Sequence, residues 1–180
     1  MANKTPKVTV LTPCYNAAPY IDRLLGSVLS QSYDNIEMIV IDDGSTDNSA
    51  EIIKSYVERF KERGYTLDYV YQKNQGQSAA INHGLKLVKG TYLVWPDADD
   101  FYSDNTSIEQ MAKLLTDSDR SVSTVRVQYT RIDGTTMNTI GYWGVDSTTK
   151  YKTDLFEDYL FNNINSTWVV PGGYMVKMDL

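Results

Sequence analysis

The chain holds one cysteine, one histidine and five prolines in 180 residues, and each scarcity removes a class of explanation. Cys14 alone can form neither an internal disulfide framework nor a cysteine-based zinc site. As a nucleophile it would need a base, and nothing in the sequence brings it to His83, the only histidine, which falls in a predicted helix. Cys14 therefore reads as a small buried hydrophobe and His83 as an ordinary helix residue. No Lys/Arg cluster lies on any predicted face, and a net charge of −6 with a pI near 4.7 argues against a nucleic-acid partner held by phosphate neutralisation. No apolar run approaches bilayer length and residues 1–6 lack an apolar leader core, so the expectation is a cytoplasmic chain whose sequons at Asn3, Asn105 and Asn165 are chance. Repeats and low-complexity tracts are missing too, and 42% hydrophobic with 22% charged residues fits one globular domain with a full core.

What is present is a regular alternation. Lys7 to Thr12 is a β-rich run closed by Pro13, and Tyr20, Ile21, Leu24, Leu25, Val28 and Leu29 recur at helical spacing, predicting a helix from about Pro19 to Gln31. Ile36 to Ile41 is nearly continuously apolar, as a central parallel strand covered on both faces should be, and runs into Asp42-Asp43-Gly44-Ser45-Thr46-Asp47. Asn48 followed by Glu51 resembles a capping box, Ile52, Ile53, Tyr56, Val57 and Phe60 give the next helix its buried stripe, and Gly64 ends it. A strand from Leu67 to Tyr71, the Asn74-Gln75-Gly76 loop, a helix through Ala79 to Val88 and a strand from Thr91 to Trp95 complete a β-α-β-α-β-α-β order. Right-handed crossovers would align these strands in one mostly parallel sheet with helices on both faces, an α/β fold of three layers. Beyond Asp100 the pattern changes to a helix at 107–115, strand-like runs at 121–130 and 136–142 around Asp133-Gly134, a helical pattern at 155–160 and a last β-like run, Tyr174 to Met178. An apolar strand is an odd place for a domain to finish, so the chain reads as a single incomplete domain: 1–100 one half, 101–180 the start of another.

The acids after the fourth strand, Asp97, Asp99 and Asp100, lie where open α/β sheets bind ligands, and hard carboxylate oxygens there suit Mn²⁺ or Mg²⁺ carrying a phosphate-bearing substrate. A plain polar turn is the other reading. An EF-hand loop from Asp97 fails, because Phe101 and Tyr102 occupy positions that need an oxygen ligand and a glycine. A dinucleotide dehydrogenase fails because no Gly-x-Gly-x-x-Gly follows the first strand.

Thr12-Pro13-Cys14-Tyr15-Asn16, Asp42-Asp43-Gly44-Ser45-Thr46-Asp47 and Pro96-Asp97-Ala98-Asp99-Asp100, in this order after strands one, two and four, resemble the nucleotide-sugar half of an inverting family 2 glycosyltransferase with a GT-A fold. Asn74-Gln75-Gly76 with Ala79-Ala80-Ile81-Asn82 is similar to the family's intervening segment, with Ile81 where that pattern usually has Arg. The resemblance implies transfer of a sugar from a nucleoside-diphosphate donor, a UDP-sugar foremost, to a saccharide or lipid-linked acceptor, and peripheral association with the inner face of the plasma membrane would follow from such acceptors. Residues 1–100 would then be the donor half and 101–180 the start of the acceptor half.

By the same resemblance Thr12, Tyr15, Asp43, Asn74, Gly76, Asp97 and Ala98 line the donor site, with Asp43 accepting a hydrogen bond from the uracil ring. Asp97-x-Asp99 matches the metal-holding DXD motif, with Asp99 the first direct ligand and Asp100 a further one. An inverting transferase also needs a general base in its acceptor half. Asp154, Glu157, Asp158 and Asp179 are the carboxylates available, of which Glu157 and Asp158 read equally as a solvated helix face, and the expectation is a base beyond Leu180. If so, the chain binds donor but transfers poorly, and a non-catalytic nucleotide-sugar-binding module is the alternative. Donor sugar, acceptor and oligomeric state are not encoded in any motif.

Overall fold

The computed structural model describes residues 5–116, 122–124, 129–132, 139–143 and 174–178. A six-stranded sheet forms its centre. Strands β1 (Val8–Cys14), β2 (Ile36–Asp42), β3 (Thr66–Tyr71) and β4 (Tyr92–Val94) run parallel in the spatial order β3-β2-β1-β4. Strand β8 (Tyr174–Lys177) then adds antiparallel to β4, and β5 (Val122–Thr124) adds antiparallel to β8. Strands β6 (Tyr129–Ile132) and β7 (Thr139–Trp143) pair as a separate antiparallel ribbon, Tyr129 opposite Trp143, while the turn expected at Asp133-Gly134 lies outside the described residues. The single strand expected at 121–130 is divided between the two sheets.

The sheet's pleat sorts its side chains onto two faces. Val8, Val10 and Cys14 of β1 and Ile36, Met38 and Val40 of β2 pack with helices α1 (Ile21–Leu29), α2 (Ser49–Ser55), α3 (Val57–Glu62) and α5 (Ser107–Thr116). The alternate residues, Leu11, Ile39, Ile41 and Leu93, meet Ala80 of α4 (Gln77–Leu85) on the other face. Both β1 and β2 are buried at every position, which is why their sequences show runs of apolar residues instead of alternation.

Three local details depart from the sequence expectation. The helix expected across 48–63 breaks at Tyr56, whose N–H turns back to Ile53 O at 3.1 Å and whose hydroxyl donates to Asp22 Oδ1 of α1 at 2.8 Å. Asn48 makes no side-chain cap; Asp47 does, accepting from Ser49 N at 3.0 Å and Ser49 Oγ at 2.5 Å. Pro19 precedes α1 instead of opening it, and Ala17 O accepts the N–H groups of Tyr20 and Ile21, each at 2.9 Å. Gly64 does end α3 as expected: it takes φ +84°, Tyr65 N donates to Phe60 O at 2.8 Å and Gly64 N to Lys61 O at 3.0 Å, the paired bonds of a Schellman stop.

A buried carboxylate, Glu37, ties the far end of the sheet together. It is 2% exposed and accepts from Thr9 Oγ1 at 2.5 Å and Lys89 N at 2.8 Å, with Lys7 Nζ 3.6 Å away. Gly90 N donates to Thr9 Oγ1 at 2.9 Å, so this network fixes the turn that feeds β4 into register with β1.

Candidate functional site

Four loops leave the carboxyl ends of β1, β2, β3 and β4 on one rim, where a parallel sheet collects its ligand-binding groups. The first two are bonded into one unit. Asn16, held at φ +49°, donates its N–H to Ser45 Oγ at 3.0 Å and accepts Thr46 N on Oδ1 at 2.8 Å. Ala17 N donates to Ser49 Oγ at 2.9 Å and Ala18 N to Asp47 Oδ2 at 3.0 Å. Burial raises the Asp47 carboxyl, but the bonds from Ser49 and Ala18 outweigh it and hold it below the usual range. Gly44 takes φ +81°, and a Cβ there would stand 2.9 Å from Asn74 N, so the β2 loop and the β3–α4 loop touch backbone to backbone at this point.

Asp42, which ends β2, and Asp43, which follows it, have different duties. Asp42 is buried and structural, accepting from Ser45 N at 2.8 Å and from the Tyr69 hydroxyl at 2.6 Å. Asp43, 3% exposed, borders the cleft and accepts from Gln72 Nε2 at 2.7 Å and Gln75 N at 2.9 Å on Oδ1, and from Gly76 N at 2.8 Å on Oδ2. Burial pushes its carboxyl up, yet these three donors together keep it below the usual range and so ionised at neutral pH. A carboxylate has about four acceptor sites, which leaves one for a ligand.

The cleft holds about 560 Å³ and is lined by Pro13 through Ala17, Tyr20, Asp43, Asn74, Gly76, Gln77 and Asp97 through Asp99. Tyr15 and Tyr20 offer rings that are 54% and 52% exposed. Asp97 accepts from Gln77 Nε2 at 2.7 Å, and Asp100 N closes the turn onto Asp97 O at 3.1 Å. Burial, then the charge of Asp99, raises Asp97, while burial followed by Asp97 and Asp99 pushes Asp100 up to about 6. Among the described residues no three Asp, Glu, His or Cys side chains converge into a ready-made cation cage. One or two carboxylates facing an open cleft suit Mn²⁺ or Mg²⁺ shared with a substrate's phosphates, and the crowding of negative charge at 97–100 gives a cation a reason to bind. Asp97 and Asp99 fit that role; Asp100 is not on the cleft wall.

Tyr15, Asp43, Asn74, Gly76, Asp97, Ala98 and Asp99 thus come together on one cleft. Thr12 does not: it is 0% exposed within β1 and is not on the cleft wall. The Gly76 N–H is already committed to Asp43. Cys14 is 1% exposed, and burial followed by the charge of Asp42 pushes its thiol up to about 11, in keeping with a packing role. His83 departs from its reading as an ordinary helix residue, because its Nδ1 lies 2.7 Å from Gln72 Oε1. Gln72 and Gln77 also escaped the sequence reading; glutamines at a strand end and a helix start carry no motif, and only the folded loops bring them to Asp43 and Asp97. Asp154, Glu157, Asp158 and Asp179, with the helix expected at 155–160, lie outside the described residues. A second hollow, of about 470 Å³ between β3 and residues 86–89, has its facing charges Lys89 and Asp68 paired at 3.9 Å and gathers no comparable set of groups.

Residues 9–176 match the family described as Glycosyl transferase family 2. The chain belongs to that family. It is 43% identical over 95 residues to "Glycosyltransferase GlyA" of Streptococcus pneumoniae serotype 4, covering 53% of this chain and 13% of that protein. Among solved structures it resembles "Mannosyltransferase PcManGT from Pyrobaculum calidifontis in complex with GDP-Man and Mn2+", with TM-score 0.60 and 29% identity over 69% of this chain and 37% of that one. S. aureus TarS 1-349 in complex with UDP-GlcNAc gives TM-score 0.61 at 26% identity, covering 67% and 34%. The mostly parallel sheet between helical layers is therefore the GT-A arrangement. The family 2 chain spans less than half the length of the curated relatives it matches. Among its described residues no helix is long and apolar enough to cross a membrane.

Proposed function

We propose that this family 2 chain is the donor-binding part of an inverting, metal-dependent glycosyltransferase that takes a sugar from a UDP-sugar to a saccharide or lipid-linked acceptor. The observation that carries the reading is one cleft with an ionised acceptor, Asp43, on one wall and two carboxylates, Asp97 and Asp99, on another. Asp43 accepts the imide N–H of the base, and the exposed ring of Tyr15 packs on the base plane. Asp97 and Asp99 hold Mn²⁺ or Mg²⁺ against the diphosphate, and the ion supplies charge neutralisation for the departing nucleoside diphosphate.

The acceptor hydroxyl oxygen bonds to the anomeric carbon as the bond from that carbon to the diphosphate oxygen breaks, and the bonding pair leaves with the diphosphate. A carboxylate on the opposite face takes the hydroxyl proton. We assign that base to the acceptor-binding half, where Glu157 and Asp158 are the carboxylates of this chain that could supply it. The complexes of two similar enzymes with GDP-Man and Mn²⁺ and with UDP-GlcNAc support the donor class.

Calorimetric titration of the chain with UDP, with and without Mn²⁺, tests this. The expected result is micromolar-range binding that weakens about tenfold or more without metal, and an Asp99→Asn variant that no longer responds to Mn²⁺. Failure to bind any nucleoside diphosphate sinks the reading. Binding without sugar transfer reduces it to a non-catalytic donor-binding module.

A further inference from the structure

The geometry points to Gln72 and His83 as positioning residues that set base selectivity in the cleft, acting through Asp43. This rests on reading the cleft as a nucleoside-diphosphate site. Asp43 is ionised and accepts only, so the Gln72 amide must present Nε2 to it, at 2.7 Å. The amide oxygen then points the other way, to His83 Nδ1 at 2.7 Å, and can only accept. His83 therefore carries its proton on Nδ1, and a three-member chain runs His83 N–H to Gln72 C=O, Gln72 N–H to Asp43 carboxylate.

The two residues come from different elements. Gln72 directly follows β3, where its N–H donates to Asp42 O at 2.8 Å, and His83 sits two turns into α4. The imidazole removes the amide's freedom to flip. A flipped Gln72 would aim its oxygen at the carboxylate, release one of three donors and let the carboxylate turn, moving the remaining acceptor site away from the ligand. With the amide locked, Asp43 presents a fixed anionic acceptor. Such a group favours a base whose ring nitrogen bears a proton, as in uracil, over cytosine, whose corresponding ring nitrogen is itself an acceptor.

The test is calorimetric titration of the 180-residue chain with UDP and with CDP, both in Mn²⁺. His83→Leu is expected to weaken UDP about five- to tenfold and to leave CDP within about twofold, narrowing the ratio between them. His83→Asn, which can place an amide N–H near the position of Nδ1, should restore the ratio. Gln72→Leu should narrow it alone, and adding His83→Leu to Gln72→Leu should change nothing more, because the coupling passes through the amide. Equal losses for UDP and CDP, a failure of His83→Asn to rescue, or additive effects in the double variant would overturn the assignment. If His83→Leu does not fold, Gln72→Leu decides: a folded variant that keeps the wild-type ratio also overturns it. A wild-type chain that binds neither nucleotide brings down the underlying site reading, whereas UDP binding indifferent to both residues brings down only the positioning role.

Discussion

Replacing Asp43 by Asn perturbs the loop between β3 and α4 without changing side-chain volume. The carboxylate accepts two donors on Oδ1, Gln72 Nε2 at 2.7 Å and Gln75 N at 2.9 Å, and one on Oδ2, Gly76 N at 2.8 Å. The amide keeps a single acceptor oxygen, which the pair of donors holds at the Oδ1 position. Its NH₂ then faces the Gly76 N–H, donor against donor. One bond is lost outright, at about 1–3 kcal/mol, and two fall from charge-assisted to neutral strength at about 0.5–1 kcal/mol each, so the variant should lose about 2–5 kcal/mol. The pH dependence has a definite sign. Folding depresses the Asp43 carboxyl, so its stabilisation is complete above the unfolded carboxylate range and is lost as pH falls below about 4 toward the folded value. Urea denaturation followed by circular dichroism should therefore show the full gap between the two proteins at pH 7 and at pH 5.5, and a narrowing gap below about pH 4. A gap under about 0.5 kcal/mol at pH 7, or one that widens on acidification, would refute the network as drawn.

Two further substitutions separate scaffold from site. Glu37→Leu removes the acceptor for Lys89 N and Thr9 Oγ1 at the opposite end of the sheet, leaving buried donors unpaired; it should cost about 2–4 kcal/mol in chemical denaturation while UDP affinity stays within about twofold of wild type. Gly84→Val places a Cβ of α4 into Leu11 Cδ1 and within 3.1 Å of Ile41 Cγ1, so α4 must lift from the sheet. The expected destabilisation is about 1–3 kcal/mol or more, read as a lowered thermal midpoint, together with weaker UDP binding because the Gly76 loop opens that helix.

The sequence by itself determined most of the first hundred residues' architecture. Buried parallel strands must be apolar on both faces, and Ile36 to Ile41 says so directly; helices written with apolar residues at 3.6-residue spacing declare which side packs. Acids following such strands in the order Asp42-Asp43, then Asp97-x-Asp99, mark one rim of one sheet, because parallel strands place all their carboxyl ends together. Tertiary structure alone decided the rest. Strand β8, from Tyr174 to Lys177, inserts between β4 and β5, a pairing across more than fifty residues of chain that no local pattern encodes. It likewise decided that Thr12 is buried within the sheet and off the cleft wall, since a strand residue's exposure depends on what covers each side of the sheet. It split the duties of Asp42 and Asp43, neighbours in sequence whose carboxylates meet different donors. And it joined His83 to Gln72 to Asp43, three residues whose chemistry is commonplace until α4, packed against β1 and β2, brings His83 to the residue that follows β3.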